Sequence, residues 1–324
     1  MMKKTRDFIE KLGFPRDDCN ELPSSTKRFP DGAQYRVEIP SVEGPASFEA
    51  VLEACIEYDV SIHRISQGSG IMLLTDDELK QMAEIGRREK LEVSLFVGPR
   101  GTWDIPSMQW ASAGKIAGLR VQGMDQLVYS IEDIKRACRF GIRSILVADE
   151  GLLYLVNEFK NAGELPEDLI VKVSVQMAHS NPVSIRLMEN IGAGTYNVPT
   201  DLTLARLAAI RQACDLPIDI YCEAPDDVGG FIRHYDIPEI IRVAAPVYIK
   251  FGLRNAPNIY PSGTHLEPTS IALSKERVRR AKLGLEVIKR YAPDLITSEK
   301  GAKGLGVPVE ENLKWTELLE PSSK

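Results

Sequence analysis

Four side chains in short alternating segments are of the kinds that move protons, hold a cation or attack a carbonyl. Glu38 lies near the end of QYRVEIP (34–40) and Glu223 ends PIDIYCE (217–223), while Lys172 stands in LIVKVSVQ (169–176) and Lys250 in PVYIKFG (246–252). Carboxylates at a strand end can exchange protons or bind a divalent ion. A lysine in a partly apolar interior gives up its proton more readily and can then form an imine with an aldehyde or ketone.

Other polar groups would complete such a site. The chain has four histidines, and SVQMAHSNP places Ser174, Gln176, His179 and Asn181 along a strand exit and a helix start. Glu38, His179 and Glu223 form a candidate metal set, suited to magnesium or manganese by its oxygens and to zinc by its imidazole. No HxH, HExxH or CxxC spacing accompanies it, so a metal-free site fits the sequence equally well. Arg100 in GPRG, Arg120 and Arg254 could give forked contacts to a carboxylate or phosphate. Gln122, Gln176, Asn181 and Tyr221 are the candidate substrate-orienting groups. GPRG and QGSG (67–70) are too short to read as phosphate loops, and each also fits an ordinary turn.

These residues need a scaffold with a polar interior. In LIVKVSVQ, Val171, Val173 and Val175 share one face, while Lys172, Ser174 and Gln176 share the other. The same alternation sets Val37 and Ile39 opposite Arg36 and Glu38, and Leu119 and Val121 opposite Arg120 and Gln122. It sets Ile218, Ile220 and Cys222 opposite Asp219, Tyr221 and Glu223. Parallel strands covered by helices have no solvent-facing side, so the polar faces must line a barrel lumen. Arg36, Glu38, Arg120, Lys172, Asp219, Glu223 and Lys250 are then expected inside. Arg36, Lys172 and Asp219 come early in their strands and suit internal ion pairs. Glu38, Gln122, Gln176 and Glu223 come late, at the rim where such barrels place chemistry.

Strand-like segments alternate with helix signals from residue 34 onward. Thr75-Asp-Asp-Glu78 and Asp236-Ile-Pro-Glu239 have capping-box spacing, and Asn181-Pro182 is another helix start. About nine strand candidates occur, including AGLRVQG (117–123), where a closed barrel takes eight. The expected architecture is α/β, a (β/α)8 TIM-like barrel over residues 34–292. A short extension covers 1–33, and 293–324 forms an arm or tail that offers a route to a homo-oligomer.

Composition narrows the function classes. The 324 residues are 44% hydrophobic and 27% charged, and the formal net charge of −6 gives no general attraction to nucleic acid. No apolar stretch is long enough to cross a membrane. Five scattered cysteines fit a reducing cytoplasm, and the MMKK start runs into Thr5-Arg6-Asp7 rather than a signal-peptide core. A small-molecule substrate is expected. The basic run Arg277–Lys282 flanks a helical apolar face and reads as a solvated outer helix.

The stretch from about 125 to 223 resembles the U32 peptidase family, whose members are β/α barrels. The resemblance is carried by IEDIKRACRFGIRSILVADEGLLYLVNEF and by KVSVQMAHSNPVSIRLMENIGAGTYNVPTDLTLARLAAI, with Asp201 where the family usually has Glu. It implies a peptidase-like hydrolase, although several relatives act in RNA modification or quinone pathways. The family's cysteine signature is replaced by YCEAPDDVGG, which keeps only Cys222, so no iron–sulfur cluster is expected.

Three readings stay open. One is a U32-like enzyme acting on a small polar or acidic substrate, with Glu38, Glu223 and His179 in acid–base or metal-assisted roles. Another is a Schiff-base aldolase or lyase using Lys172 or Lys250. The last is a noncatalytic binding barrel whose lumen charges pair with one another.

Overall fold

Eight strands carry the alternating segments: β1 (Tyr35–Pro40), β2 (Arg64–Gln67), β3 (Glu92–Phe96), β4 (Ser144–Val147), β5 (Ile170–Val173), β6 (Thr195–Asn197), β7 (Ile218–Glu223) and β8 (Val247–Phe251). In the computed structural model, which describes residues 2–11, 21–100 and 119–311, all pair in parallel in chain order. Glu38 of β1 stands opposite both Arg64 of β2 and Lys250 of β8, so the sheet closes on itself. This is the expected α/β (β/α)8 barrel.

Among the described residues the α-helices are α1 (Lys3–Lys11), α2 (Pro45–Tyr58), α3 (Asp76–Glu89), α4 (Gly123–Arg139), α5 (Glu150–Asn161), α6 (Pro182–Asn190), α7 (Leu204–Ala213), α8 (Ile237–Ala244) and α9 (Glu267–Tyr291). Their starts follow local chemistry. Thr75 and Glu78 exchange side-chain-to-backbone bonds at the start of α3, and Asn181 accepts from Val183 N and Ser184 N at the start of α6. Asp236 does not cap α8; its carboxylate takes Arg233 Nε at 3.1 Å instead.

The ninth strand candidate is not a strand. Ala117 and Gly118 lie outside the described residues, and Leu119–Gln122 run irregularly into α4. Gln126 folds back so that its Oε1 accepts from Gln122 N at 2.7 Å, which fixes that segment as a helix entrance. Arg120 and Gln122 therefore do not belong to a lumen-facing strand.

The outward faces of the strands, with Val171, Val173, Ile218, Ile220, Val247 and Ile249, join the helices in one large apolar core. Burying each such side chain stabilises the fold by about 1.5–3 kcal/mol. α9 lies close against β8, and Gly284 is required there because a Cβ would meet the Phe251 ring at 2.5 Å.

The amino-terminal mouth of the barrel is closed by chain from outside it. Phe29, Ala33 and Tyr248 pack together with Leu305. Arg36 lies beneath them, 4.0 Å from the Phe29 ring, and donates to Ser298 Oγ at 2.8 Å and Lys303 O at 2.8 Å. His63 precedes β2, accepts from Val37 N at 3.0 Å and contacts Ser298 O at 2.7 Å. Because Nδ1 accepts, Nε2 carries the proton and donates. The segment from Thr297 to Gly306 thus plugs its own barrel; residues 312–324, the rest of the expected arm, lie outside the described residues.

Candidate functional site

Inside the plug, three cations and three carboxylates fill the middle of the lumen. Glu38 is central. Its Oε2 accepts from Arg64 Nε at 2.8 Å, and its Oε1 accepts from Ser66 Oγ at 2.6 Å and Lys172 Nζ at 2.5 Å. Lys250 Nζ lies 3.2 Å from the same Oε1. Arg64 also approaches Asp219 at 2.6 Å and Glu92 at 3.4 Å, with its guanidinium 3.5 Å from the Tyr248 ring. Glu92 is fixed from below by Ser144 Oγ at 2.8 Å and Gly306 N at 3.3 Å.

These six charged residues are buried, so each would cost several kcal/mol if unpaired. Pairing sets their protonation. Burial pushes the Glu38 carboxyl up, but Arg64, Lys172 and Lys250 outweigh it and hold the group well below the usual carboxylate range. Lys172 shifts the other way. Burial, together with the positive charges of Arg64 and Lys250, lowers it to about 7 against the pull of Glu38 and Asp219. Lys172 is consequently an ammonium poised to become an amine near neutral pH.

Lys250 stands in the layer above, with Tyr221 and Asn197. Its Nζ is 4.2 Å from the Tyr221 ring centroid. Asn197, with its amide turned to satisfy both neighbours, accepts from Lys250 Nζ at 2.9 Å and donates to the Asp219 carbonyl at 3.2 Å. Phe96, Leu146 and Ala148 form an apolar wall, joined by Leu119. The lumen therefore combines a low-dielectric wall with a lysine pair sharing one carboxylate oxygen.

Glu223 leaves this interior, contrary to the alternation. β7 and β8 slip in register: Tyr221 pairs with Lys250, whereas Glu223 pairs with Phe251, the next residue of β8. One residue of β7 is extra, which turns Glu223 to the outer side of the sheet with Phe251. There Glu223 Oε1 accepts from Arg254 N at 3.1 Å, and Oε2 lies 3.4 Å from His234 Nε2 and 3.7 Å from Arg280 Nε. It cannot share a reacting atom with Glu38.

His179 and Arg120 form a third group. His179 Nε2 is 3.3 Å from Glu150 Oε1, Arg120 pairs with the same carboxylate, and the imidazole stacks 6.0 Å from the Tyr196 ring. Glu38, His179 and Glu223 thus have separate partners, and among the described residues no three His, Cys, Asp or Glu side chains converge as a metal site. Asn181 is occupied as a cap, Gln122 is exposed, and Gln176 Oε1 is buried without a partner. Arg254 is engaged outside the lumen with Asp226 Oδ1 at 2.6 Å.

Several site residues were not singled out from sequence. Glu92 lies on the polar face of LEVSLFVG, where the same alternation rule marks it, whereas Arg64 and Ser66 share a face of VSIHRIS with Val60 and Ile62 and are not marked by it. Glu43, Tyr260 and Arg277 carry no comparable signal. Glu43 accepts from Gly68 N at 2.9 Å and Ser69 N at 3.0 Å, and Tyr260 crosses the QGSG loop so closely that a Cβ at Gly68 would lie 2.7 Å from its ring. QGSG is therefore a bed for an aromatic ring as well as a turn. Arg277, read as part of a solvated helix face, is buried and donates to Ser41 O at 3.1 Å.

No family model and no curated protein matches the chain. Among solved structures, a putative fructose-1,6-biphosphate aldolase from Coccidioides immitis is 13% identical, covers 80% of this chain and 92% of its own, and aligns with a TM-score of 0.50. A putative lyase/mutase from Burkholderia cenocepacia is 11% identical, covering 98% and 93%, with a TM-score of 0.42. A U32 peptidase is 15% identical, covering 64% and 73%, with a TM-score of 0.36. At these identities the likeness is one of barrel fold, and the U32 resemblance extends no further than that.

Proposed function

We propose that the protein is an enzyme of the Schiff-base lyase type, in which Lys172 forms an imine with an aldehyde or ketone in the lumen. One observation carries the reading: Lys172 Nζ lies against Glu38 and Asp219, yet its burial, aided by the charges of Arg64 and Lys250, brings its proton loss to about pH 7. The neutral amine would attack the carbonyl carbon. The carbinolamine oxygen would take one of the two amine protons and a second proton from solvent and leave as water, and the nitrogen would keep its remaining proton as the iminium. That cation can then accept the electron pair of an adjacent carbon–hydrogen bond, the proton passing to solvent, or of an adjacent carbon–carbon bond, the other fragment leaving as a carbonyl compound, and either gives an enamine.

Glu38 suits a role different from proton exchange. A carboxylate held this firmly ionised is a weak base, but it is an effective counter-ion for an iminium formed beside it. Lys250 supplies the neighbouring charge that favours the neutral amine, and Asn197 orients it. The U32-like acid–base reading required Glu38 and Glu223 together, and they face opposite sides of the sheet.

A noncatalytic barrel draws support from the mutual pairing of the lumen charges. Borohydride reduction with a panel of aldehydes and ketones separates the two. The lyase reading expects a covalent mass increment in the wild type that is absent in Lys172→Met. No increment across the panel supports the binding barrel.

A further inference from the structure

The mouth above the lysines carries an arginine whose terminal nitrogens meet no acceptor among the described residues. Arg100 follows β3; its Nε donates to the Gly68 carbonyl at 2.9 Å and its backbone N–H to the Ser69 carbonyl at 2.8 Å. Its guanidinium lies 3.9 Å from the Tyr260 ring centroid and 5.5 Å from that of Phe96. Stacking and the Nε bond fix the plane of the group. Its two terminal nitrogens have no hydrogen-bond acceptor among the described residues, and none of their carboxylates comes within ion-pair distance.

The neighbouring groups do not supply that acceptor. Glu43, which feels the charge of Arg100, turns its oxygens to Gly68 N, Ser69 N and Ser69 Oγ and makes no hydrogen bond with the guanidinium. Arg277 adds a second guanidinium at the Ser41–Tyr260 pair, is only 4% exposed, and has an Nε with no partner. Below, Tyr221 lies within the field of Arg100 and against Lys250 Nζ. A planar, immobilised guanidinium with an open fork is the arrangement that grips a carboxylate or phosphate.

We propose that Arg100 anchors an oxyanion of the substrate, so that the substrate class is an anionic aldehyde or ketone, its carboxylate or phosphate at the mouth and its carbonyl reaching the lysines. The carbonyl half of this assignment rests on the Schiff-base reading; the oxyanion half does not.

Calorimetric titration with inorganic phosphate and with lactate, neither of which can form an imine, tests the anchor by itself. Wild type and Lys172→Met are expected to bind at least one of them alike. Arg100→Ala should weaken that binding about 10–100-fold, the range of lost charge-assisted hydrogen bonds. Arg100→Lys, which keeps the charge but not the fork, should fall between and serves if the alanine variant does not fold. Equal binding by wild type and both Arg100 variants overturns the proposal, as does failure of the wild type to bind either anion. Trapping of a neutral ketone on Lys172 without oxyanion binding refutes the anchor and keeps the imine. Oxyanion binding through Arg100 with no trapped adduct does the reverse.

Discussion

Lys172 Nζ lies 2.5 Å from Glu38 Oε1, and Lys250 Nζ approaches the same oxygen at 3.2 Å. Two ammonium groups competing for one carboxylate oxygen in a buried lumen cannot both be equally well compensated. Burial and the positive charges of Arg64 and Lys250 together lower Lys172 to about 7.

Replacing Lys250 by Met removes a positive neighbour from Lys172. The pH at which Lys172 becomes reactive should rise by about 1 unit, within the usual effect of a close charge. Trapping rates measured against pH in the two proteins check this. An unchanged midpoint would show that Lys250 does not tune the amine.

Glu38→Gln leaves Arg64, Lys172 and Lys250 short of a counter-charge. A loss of about 3–5 kcal/mol in urea unfolding is expected, as for other broken buried pairs. A loss below about 1 kcal/mol, the level of an exposed pair, would mean that the lumen network is far more hydrated than its burial implies.

Two buried groups give entries of the same sign, in different windows, to the pH dependence of stability. Lys172 falls from 10.5 to about 7 on folding, so between those values the unfolded chain holds the extra proton and stability rises with pH. His63 falls from 6.5 to about 4 because burial disfavours its charged form, so stability is lost as pH drops through that window. Denaturant titrations of Lys172→Met and His63→Gln should each lack the corresponding slope. A wild-type slope retained in either variant would assign it to another group.

Glu223→Gln should leave imine trapping intact, because the slipped register turns this side chain toward His234 and Arg280. A modest stability loss of about 1–2 kcal/mol is expected from the weakened contacts. Loss of trapping in a folded Glu223→Gln protein would place the carboxylate back in the reaction.

Much of the lumen was legible in the sequence because strand alternation has a period of two. Arg36, Glu38, Lys172, Asp219 and Lys250 follow it, and so does Glu92 once the rule is applied to its strand, whereas Arg64 shares a face of VSIHRIS with Val60 and Ile62 and is not marked. Glu223 breaks it because a single extra residue in β7 reverses the face, and nothing in IDIYCE announces that residue. AGLRVQG imitates a strand over four residues between glycines, but the side chain of Gln126 closes it as a helix entrance. Tyr260 and Arg277 were not legible as site residues because loops and a distant helix bring them to the mouth, where no local period applies. The plug from Thr297 to Gly306 is likewise held by bonds to Tyr35, Arg36, His63 and Glu92, far away in sequence.

The most direct measurement is the fraction of the Lys172 peptide that carries a borohydride-reduced adduct, followed by mass spectrometry as a function of pH with a reactive carbonyl compound. The expected result is modification at Lys172 that rises through about pH 7, well before lysines near the ordinary 10.5 respond. An unmodified Lys172 at every pH, or one modified only near the ordinary value, would contradict a lysine nucleophile at this position.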